Sequence, residues 1–472
     1  MTPKTRTFRW VSVLGLALLS GCAHFVSRPL SPANSIAAFR ARSLTDPGLQ
    51  AFLADNRVPE PAAGWDLKAL TLTALYYQPS LAEARDRLRE AEAARVTAGE
   101  RPNPSVAMAL GYDTRIAGAP SPWIVPINVD WPIETAGKRG DRLAQARHLA
   151  AAARWELIGT VWRVRSRLRS ALLDLYAARR TESLLARQQA AERKVVRLLQ
   201  GQLEAGTVSS YLLAQARVAL DDTTLACQAA SGAIRLAQIH LAGALGVAPH
   251  ALNGVQLSFA ELRKFPRDLT RPRVTRRALL NRADVRAALD QYAASQSQLQ
   301  LEIARQWPDL QLGPGFAWNS QLREDSEWQL RLSLPLPILN HNQGPIAEAR
   351  AERKLAAAHF LSVQADALEQ IDGALAGYRS ALARMRTATS LLADLRQQID
   401  SVRGQVQAGE LQPLDLADAE VAFDQGAQNL LAIRIEAQRA LGALEDAVQS
   451  SLTLVPSTLQ AARKGEPGPG AP

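Results

Sequence analysis

The feature that most restricts this chain is that it says the same thing twice. "AGTVSSYLLAQAR", Ala205 to Arg217, returns as "AGELQPLDLADAE", Ala408 to Glu420. The correspondence runs well beyond this pair. "YYQPSLAEARDRL" from Tyr76 lies over "LNRADVRAALDQY" from Leu280, and "PSVAMALGY" from Pro104 over "PDLQLGPGF" from Pro308. "WPIETAGKRGDRLAQAR" from Trp131 lies over "LPLPILNHNQGPIAEAR" from Leu334. An offset of roughly 203 residues persists across all four pairs, which marks a duplication rather than a chance motif. The 472 residues are therefore two copies of one unit, joined by the Pro- and Arg-containing connection from about Ala248 to Thr275. Any fold must be one that this unit can adopt twice.

Each unit reads as a helix, two short strands, one very long helix, a turn and a returning helix. Period-two alternation marks the strands, because successive side chains point to opposite faces. The larger apolar residues are Val106, Met108, Leu110 and Tyr112, then Trp123, Val125, Ile127, Val129 and Trp131. The second copy gives Leu310, Leu312, Phe316 and Trp318, then Trp328, Leu330, Leu332 and Leu334, with Gln329, Arg331 and Ser333 between the last four. Two readings fit: tilted membrane strands about 10 residues long with aromatic ends, or soluble hairpins covering a core. Counting constrains the first, because lipid tolerates strands only in closed barrels and bacterial barrels start at about eight. Four strands per chain cannot close one, so membrane strands require several chains to share a barrel.

No proline falls between Pro132 and Pro249, nor between Pro345 and Pro413, so no ring interrupts the helical ladder. Helices over Asp141–Leu203 and Ala347–Ala408 are each about 90 Å long at 1.5 Å per residue. In the second, Ile371, Tyr378, Met385, Leu392, Ile399 and Val406 recur every seventh residue, beside a row of Leu361, Leu368, Leu375 and Leu382. That period imposes left-handed supercoiling and predicts coiled-coil packing. Aromatic residues make up only 5% of the chain, and the net charge of +10 is spread along helices rich in Arg, Glu and Asp. This is the composition of solvated helix faces, and no basic cluster is interleaved with aromatics as nucleic-acid binding would need.

The amino terminus carries Lys4, Arg6 and Arg9 before the apolar run "WVSVLGLALL" and then "LSGC", Leu19 to Cys22. Basic residues ahead of an apolar run too short to span a bilayer read as an export signal, here residues 1–21. With Cys22 set aside, Cys227 is the only cysteine left, so no intrachain disulfide is available.

Taken in order and spacing, the duplicated strand pairs, "PIETAGKR" leading into a long helix, the "AG" turns followed by "SSYLLAQA" and "PLDLADA", and "LSGC" resemble the TolC/OprM family of outer-membrane efflux ducts. "PIETAGKR" is similar in particular to the lipoprotein branch serving heavy-metal resistance-nodulation-division (RND) pumps. The resemblance covers about Trp65 to Val448.

It implies a mainly α fold with a small β part: long antiparallel coiled-coil helices forming an α-helical barrel, plus four strands per chain contributing to a trimeric 12-stranded transmembrane β-barrel. The chain then divides into the signal (1–21), an extended segment behind a lipidated Cys22 (22–66), the first repeat (67–247), an equatorial linker (248–274), the second repeat (275–450) and a partly disordered tail (451–472). "LSGC" resembles a lipobox, and Ala23 rather than Asp after the cysteine implies the outer membrane. Val106, Met108, Leu110, Val125, Ile127, Val129, Leu310, Leu312, Leu330 and Leu332 are the expected lipid-facing strand residues. Gly206, Ser209, Ser210, Gly409 and Pro413 mark the tip turns and an adaptor contact, and Asp415 and Asp418 match a family gate at the periplasmic entrance. First-turn carboxylates can equally serve the helix dipole.

The implied partners are two further copies, a periplasmic adaptor, an inner-membrane RND-type transporter and outer-membrane lipid, and the implied function is the passive exit duct of a tripartite efflux system. A type I secretion duct and a periplasm-spanning structural lipoprotein without a pore are the alternatives.

Other motifs carry less. His24, His148, His240, His250, His341 and His359 are dispersed, Met108 and Met385 fall on apolar rows, and neither set predicts a metal site. "GKRG" lacks the spacing of a phosphate loop, and Lys138 and Arg139 stand where a strand leaves the membrane, facing lipid phosphate or solvent. No triad spacing suggests an enzyme, no cofactor is expected, and nucleic acid is not an expected partner.

Overall fold

The computed structural model describes residues 23–58, 64–112, 114, 123–266, 269–319 and 326–452. The expected signal segment, Cys22 and the tail beyond residue 452 lie outside these. The chain divides into two compact units at Ser43. The first holds α1 (Pro32–Ala41), begun by Ser31, whose hydroxyl accepts the Asn34 N–H.

The second unit opens with α2 (Pro47–Asp55), α3 (Leu67–Tyr77) and α4 (Pro79–Gly99), followed by β1 (Ser105–Met108), β2 (Gly111–Tyr112) and β3 (Trp123–Ile133). Then come α5 (Lys138–Glu204) and its return, α6 (Ser210–Leu245). Past two short 3-10 turns the order recurs: α7 (Arg271–Asn281), α8 (Ala283–Ala304), β4 (Leu310–Asn319), β5 (Ser326–Ser333), α9 (Gln343–Gln407) and α10 (Pro413–Val448). At 67 and 65 residues, α5 and α9 are each about 100 Å long, somewhat more than the spans expected from Asp141–Leu203 and Ala347–Ala408.

Each long helix packs against several shorter ones. α5 meets α4, α8, α6 and α10, and α9 meets α8 and α10. The seven-residue row on α9 runs along these contacts: Ile371, Tyr378 and Ile399 are buried and Met385, Leu392 and Val406 half-buried. Its companion row is only partly covered, since Leu375 is buried but Leu361 and Leu368 are exposed. Gly426 lets α10 approach α9 closely, because a β-carbon there would meet the Leu395 side chain.

The largest core sits where α3, the middle of α5 and the end of α6 converge. Leu70, Leu72, Leu168, Leu172, Leu175, Leu241 and Leu245 are fully enclosed there. A second core repeats the arrangement with Val274, Ile371, Leu375, Tyr378, Leu441 and Leu444. The two copies solve one capping problem with different residues. Gln78 Nε2 donates to the Gly243 and Ala244 carbonyls at the end of α6, and Arg282 Nη1 donates to the Ala447 carbonyl at the end of α10. The left-handed residue that closes each of these helices is Gly246 in one copy and Gln449 in the other.

Candidate conduit surfaces: membrane sheet, junction and tips

The four strands of one chain form a single antiparallel sheet in the order β1/β2, β3, β4, β5, so β3 and β4 join the two copies. β1 and β2 both pair with β3 in one register, making a single strand interrupted at Ala109 and Leu110. The pairings Val106↔Val129, Met108↔Ile127, Ile127↔Phe316, Trp131↔Leu312, Phe316↔Trp328 and Leu312↔Leu332 put the large apolar residues on one face, except Ile124, which pairs with Gly111 and Asn319 on the other. Ser105, Ala107, Asn128, Asp130, Gln311, Gly313, Gly315, Gln329, Arg331 and Ser333 share the other.

The apolar face is uncovered. Val106 is 68% exposed, Met108 60%, Leu110 67%, Trp328 79% and Leu330 72%, and Val125, Val129, Leu310 and Leu312 are half-buried by their neighbours. Of the two sequence readings, hairpins covering a core would bury these residues. Among the described residues, the strands at either end of the sheet pair on one side only. No described helix is long and apolar enough to cross a membrane.

Where the sheet meets the helices, the "TAGK" segment ties the copies together. Thr135 Oγ1 donates to the Pro308 carbonyl, and the Thr135 N–H to Asp309 Oδ1 at 2.9 Å. Lys138 Nζ donates to the Trp307 carbonyl and to Asp309, both at 2.6 Å. Lys138 is only 7% exposed. This corrects the expectation that it faces lipid phosphate or solvent: the ammonium is spent inside the protein. Burial opposes charge on Asp309, but the bonds and charge supplied by Lys138 and Thr135 together outweigh it and hold the carboxyl below its ordinary range. Arg139 Nε donates to the Gly99 carbonyl. We predict that Lys138→Met, which strands a half-buried carboxylate, costs about 1–3 kcal/mol, read as a lower urea midpoint than that of Arg139→Met.

At the opposite ends the helices reverse. Gly206 and Gly409 have φ of +72° and +79°, and the bonds Thr207 N–H to the Gln202 carbonyl and Glu410 N–H to the Gln405 carbonyl close both turns. Space is open around both glycines, so the positive φ alone demands them. Alanine at either is expected to cost about 1–2 kcal/mol, checked by faster proteolytic nicking at the tip.

Ser209 is the residue before α6 and Ser210 its first; Gln412 and Pro413 hold the same places for α10. Asp415 Oδ2 accepts the Gln412 N–H at 2.8 Å, so it performs the helix-starting role that first-turn carboxylates serve. Asp418 is exposed one turn on, its pKa raised first by partial burial and then by Asp415.

Sequence reasoning missed how the hairpins hold each other. α5 and α10 meet through a polar ladder: Gln202 to Gln412 at 2.7 Å, Lys194 to Glu420 at 3.3 Å and Gln188 to Gln428 at 2.5 Å. Higher up, Arg165 and Arg169 reach Glu445, which is fully buried. The available signal was that Arg165 and Arg169 fall at helical spacing with Val161, Leu168 and Leu172, on an otherwise apolar face of α5. Among the described residues, no group of three potential ligands could hold a metal ion.

Paired hairpins of such length, topped by a sheet with one bare apolar face, define the fold of an outer-membrane duct. The family description "Outer membrane efflux protein" matches residues 71–247 and 274–448, well over half the chain and one match per copy. The chain belongs to that family, and it is an outer-membrane protein by that membership.

Among solved structures, it is similar to the outer membrane protein VceC from Vibrio cholerae, with a TM-score of 0.66 and 18% identity over 82% of this chain and 96% of that one. It is likewise similar to the CmeC outer membrane channel of Campylobacter jejuni, at 0.66 and 16% over 95% and 98%, and to CusC, at 0.66 and 18% over 82% and 92%. At these identities the likeness speaks for the fold. No curated protein matches the chain. The family is one of efflux proteins, and CusC and CmeC are described as channels rather than enzymes.

Proposed function

We propose that three copies of this chain close one 12-stranded barrel and one helical tunnel, forming the passive exit duct of a tripartite efflux system. The observation that carries this is the sheet: apolar and bare on one face, polar and glycine-rich on the other, with two open edges. A sheet of that kind is satisfied in lipid only as part of a closed barrel. A second support lies on α6, where Tyr211, Val218, Leu225 and Ile239 are all exposed and fall on one seven-residue register, with Gly232 at the place between the last two. Such a row is a coiled-coil seam without its partner, and a neighbouring copy supplies one.

Val106, Met108, Leu110, Val125, Ile127, Val129, Leu310, Leu312, Leu330 and Leu332 then face lipid. In this reading Cys22 anchors the chain to the outer membrane, and the tips around Gly206, Ser209, Ser210, Gly409 and Pro413 meet a periplasmic adaptor bound to an RND-type pump. Asp415 and Asp418 from three chains bring six carboxylates to the entrance, a ring that favours cations.

The test is conductance in planar bilayers. The wild type should conduct with cation preference, and Asp415→Lys with Asp418→Lys should abolish or invert that preference. Unchanged preference removes the gate assignment. Absence of both conductance and a detergent-stable trimer removes the duct itself, in favour of a structural lipoprotein.

A further inference from the structure

The polar face of the sheet contains two glycines whose presence backbone conformation does not explain. Gly313 and Gly315 lie in β4, a strand that pairs with β3 and β5, and neither glycine has a positive φ. Glycine weakens a strand and, inside one, marks the close approach of another group. Both are buried, unlike Pro314 between them.

What covers them is polar. A β-carbon at 315 would fall on Asn128 Oδ1 and within 3.4 Å of its Cγ. One at 313 would come 3.0 Å from Asp130 Oδ1 and 3.3 Å from Arg331 Cβ. Asn128 is the cross-strand partner of Gly315, and Arg331 that of Gly313. The Asn128 and Asp130 side chains of β3 therefore lie down sideways across the glycines of β4.

We propose that Gly313 and Gly315 set the bore of the barrel, by providing a floor on which the lumen's polar side chains recline instead of projecting toward the axis. The inference rests on the barrel reading above, in which this face lines the lumen. The face has hydrophilic groups for water and solutes, yet its layers at Asn128 and Asp130 stay thin. A methyl group at 315 displaces the free end of Asn128, which has only the lumen to turn into, and threefold symmetry repeats the displacement around the ring. Position 313 should respond less, because its β-carbon would meet Asp130 less closely. In that layer Asp130 and Arg331 alternate around the barrel, giving a wall of mixed charge with no net sign.

The experiment is electron cryomicroscopy of the full-length protein in lipid nanodiscs, as wild type, Gly315→Ala, Gly313→Ala and the double variant Gly315→Ala with Asn128→Ala. In Gly315→Ala the three Asn128 amides should leave the wall and shorten the free radius at that level by about 2 Å, the reach of an amide beyond its β-carbon. Gly313→Ala should narrow its own level less, and the double variant should return to the wild-type radius or wider.

A labelling arm reads the same geometry in cells, on a Cys227→Ser background. A membrane-impermeant thiol reagent should modify Asn128→Cys several-fold faster when residue 315 is alanine. An unchanged radius and rate, with Asn128 still over residue 315 and β4 displaced instead, would overturn the proposal alone. Asn128 found against lipid, or Val129→Cys labelled as fast as Asn128→Cys, would overturn the barrel reading beneath it.

Discussion

Arginine in place of Leu330 is expected to abolish the membrane-inserted trimer, whereas arginine in place of the adjacent Gln329 should leave it intact. The two positions are neighbours on β5 and differ only in the face they present. Leu330 pairs with Pro314, on the face that carries Val129 and Val106, and stands 72% exposed in the single chain. Gln329 pairs with Gly315 on the polar face.

A charged side chain on the lipid face near the middle of a barrel costs about 2–4 kcal/mol, and assembly triples it. On the lumen face the same side chain remains hydrated. Heat-modifiable migration on gels and resistance of membranes to urea extraction report the outcome. Equal tolerance at both positions would mean that this face never meets lipid.

The duplication made most of the architecture legible before any coordinates. A proline-free stretch with a seven-residue apolar period can be little other than a long coiled-coil helix, and the structure contains two. Alternation likewise gave the two faces of each strand. Pairing across the copies was not legible, because nothing local to "PINVD" or "LGPGF" says that Asn128 will lie over Gly315. Gly315 resembles a turn glycine until its neighbour strand is known.

Lys138 misled for a related reason. A lysine beside a strand end suggests an interface, and only the fold brings Asp309, 171 residues away, to within 2.6 Å of its ammonium. The tip was half legible. The "AG" signal located both reversals, but the bond from Gln412 N–H to Asp415 shows one carboxylate already serving local structure, a role compatible with a gate and independent of it.

The second large effect should come from Glu445, where the helices of the two copies meet. Its carboxylate is fully buried. Oε2 accepts from Arg165 Nη2 at 2.9 Å and lies 3.5 Å from Arg169 Nε, while Oε1 accepts the Leu452 N–H at 2.8 Å. Arg169 in turn donates to the Gln438 carbonyl and side chain at 2.9 and 2.7 Å, through room left by Gly442. The Arg165 guanidinium stacks 5.0 Å from the Trp162 ring.

Glu445→Leu leaves two buried guanidinium groups without their counter-charge, a change that typically costs about 3–5 kcal/mol. Adding Arg165→Met should recover part of the loss, because the second substitution removes one stranded charge.

Acidity offers an independent check. Burial works against the charged form of Glu445, but Arg165 and Arg169 prevail and keep its pKa below the ordinary value of 4.5. A depressed carboxyl contributes stability that is complete above the unfolded pKa and is lost as pH falls through the folded one. The adjacent Asp446 behaves oppositely: burial raises its pKa even though Ser166 donates to it, so its contribution improves slightly as pH falls toward the carboxylate range.

Urea midpoints followed by circular dichroism should therefore rise a little on mild acidification and then drop steeply below about 4.5. Asp446→Asn should remove the rise. Glu445→Gln should start lower at neutral pH and lack the steep acid limb, and a variant that kept that limb would show that other carboxylates, not this buried one, fasten the two hairpins together.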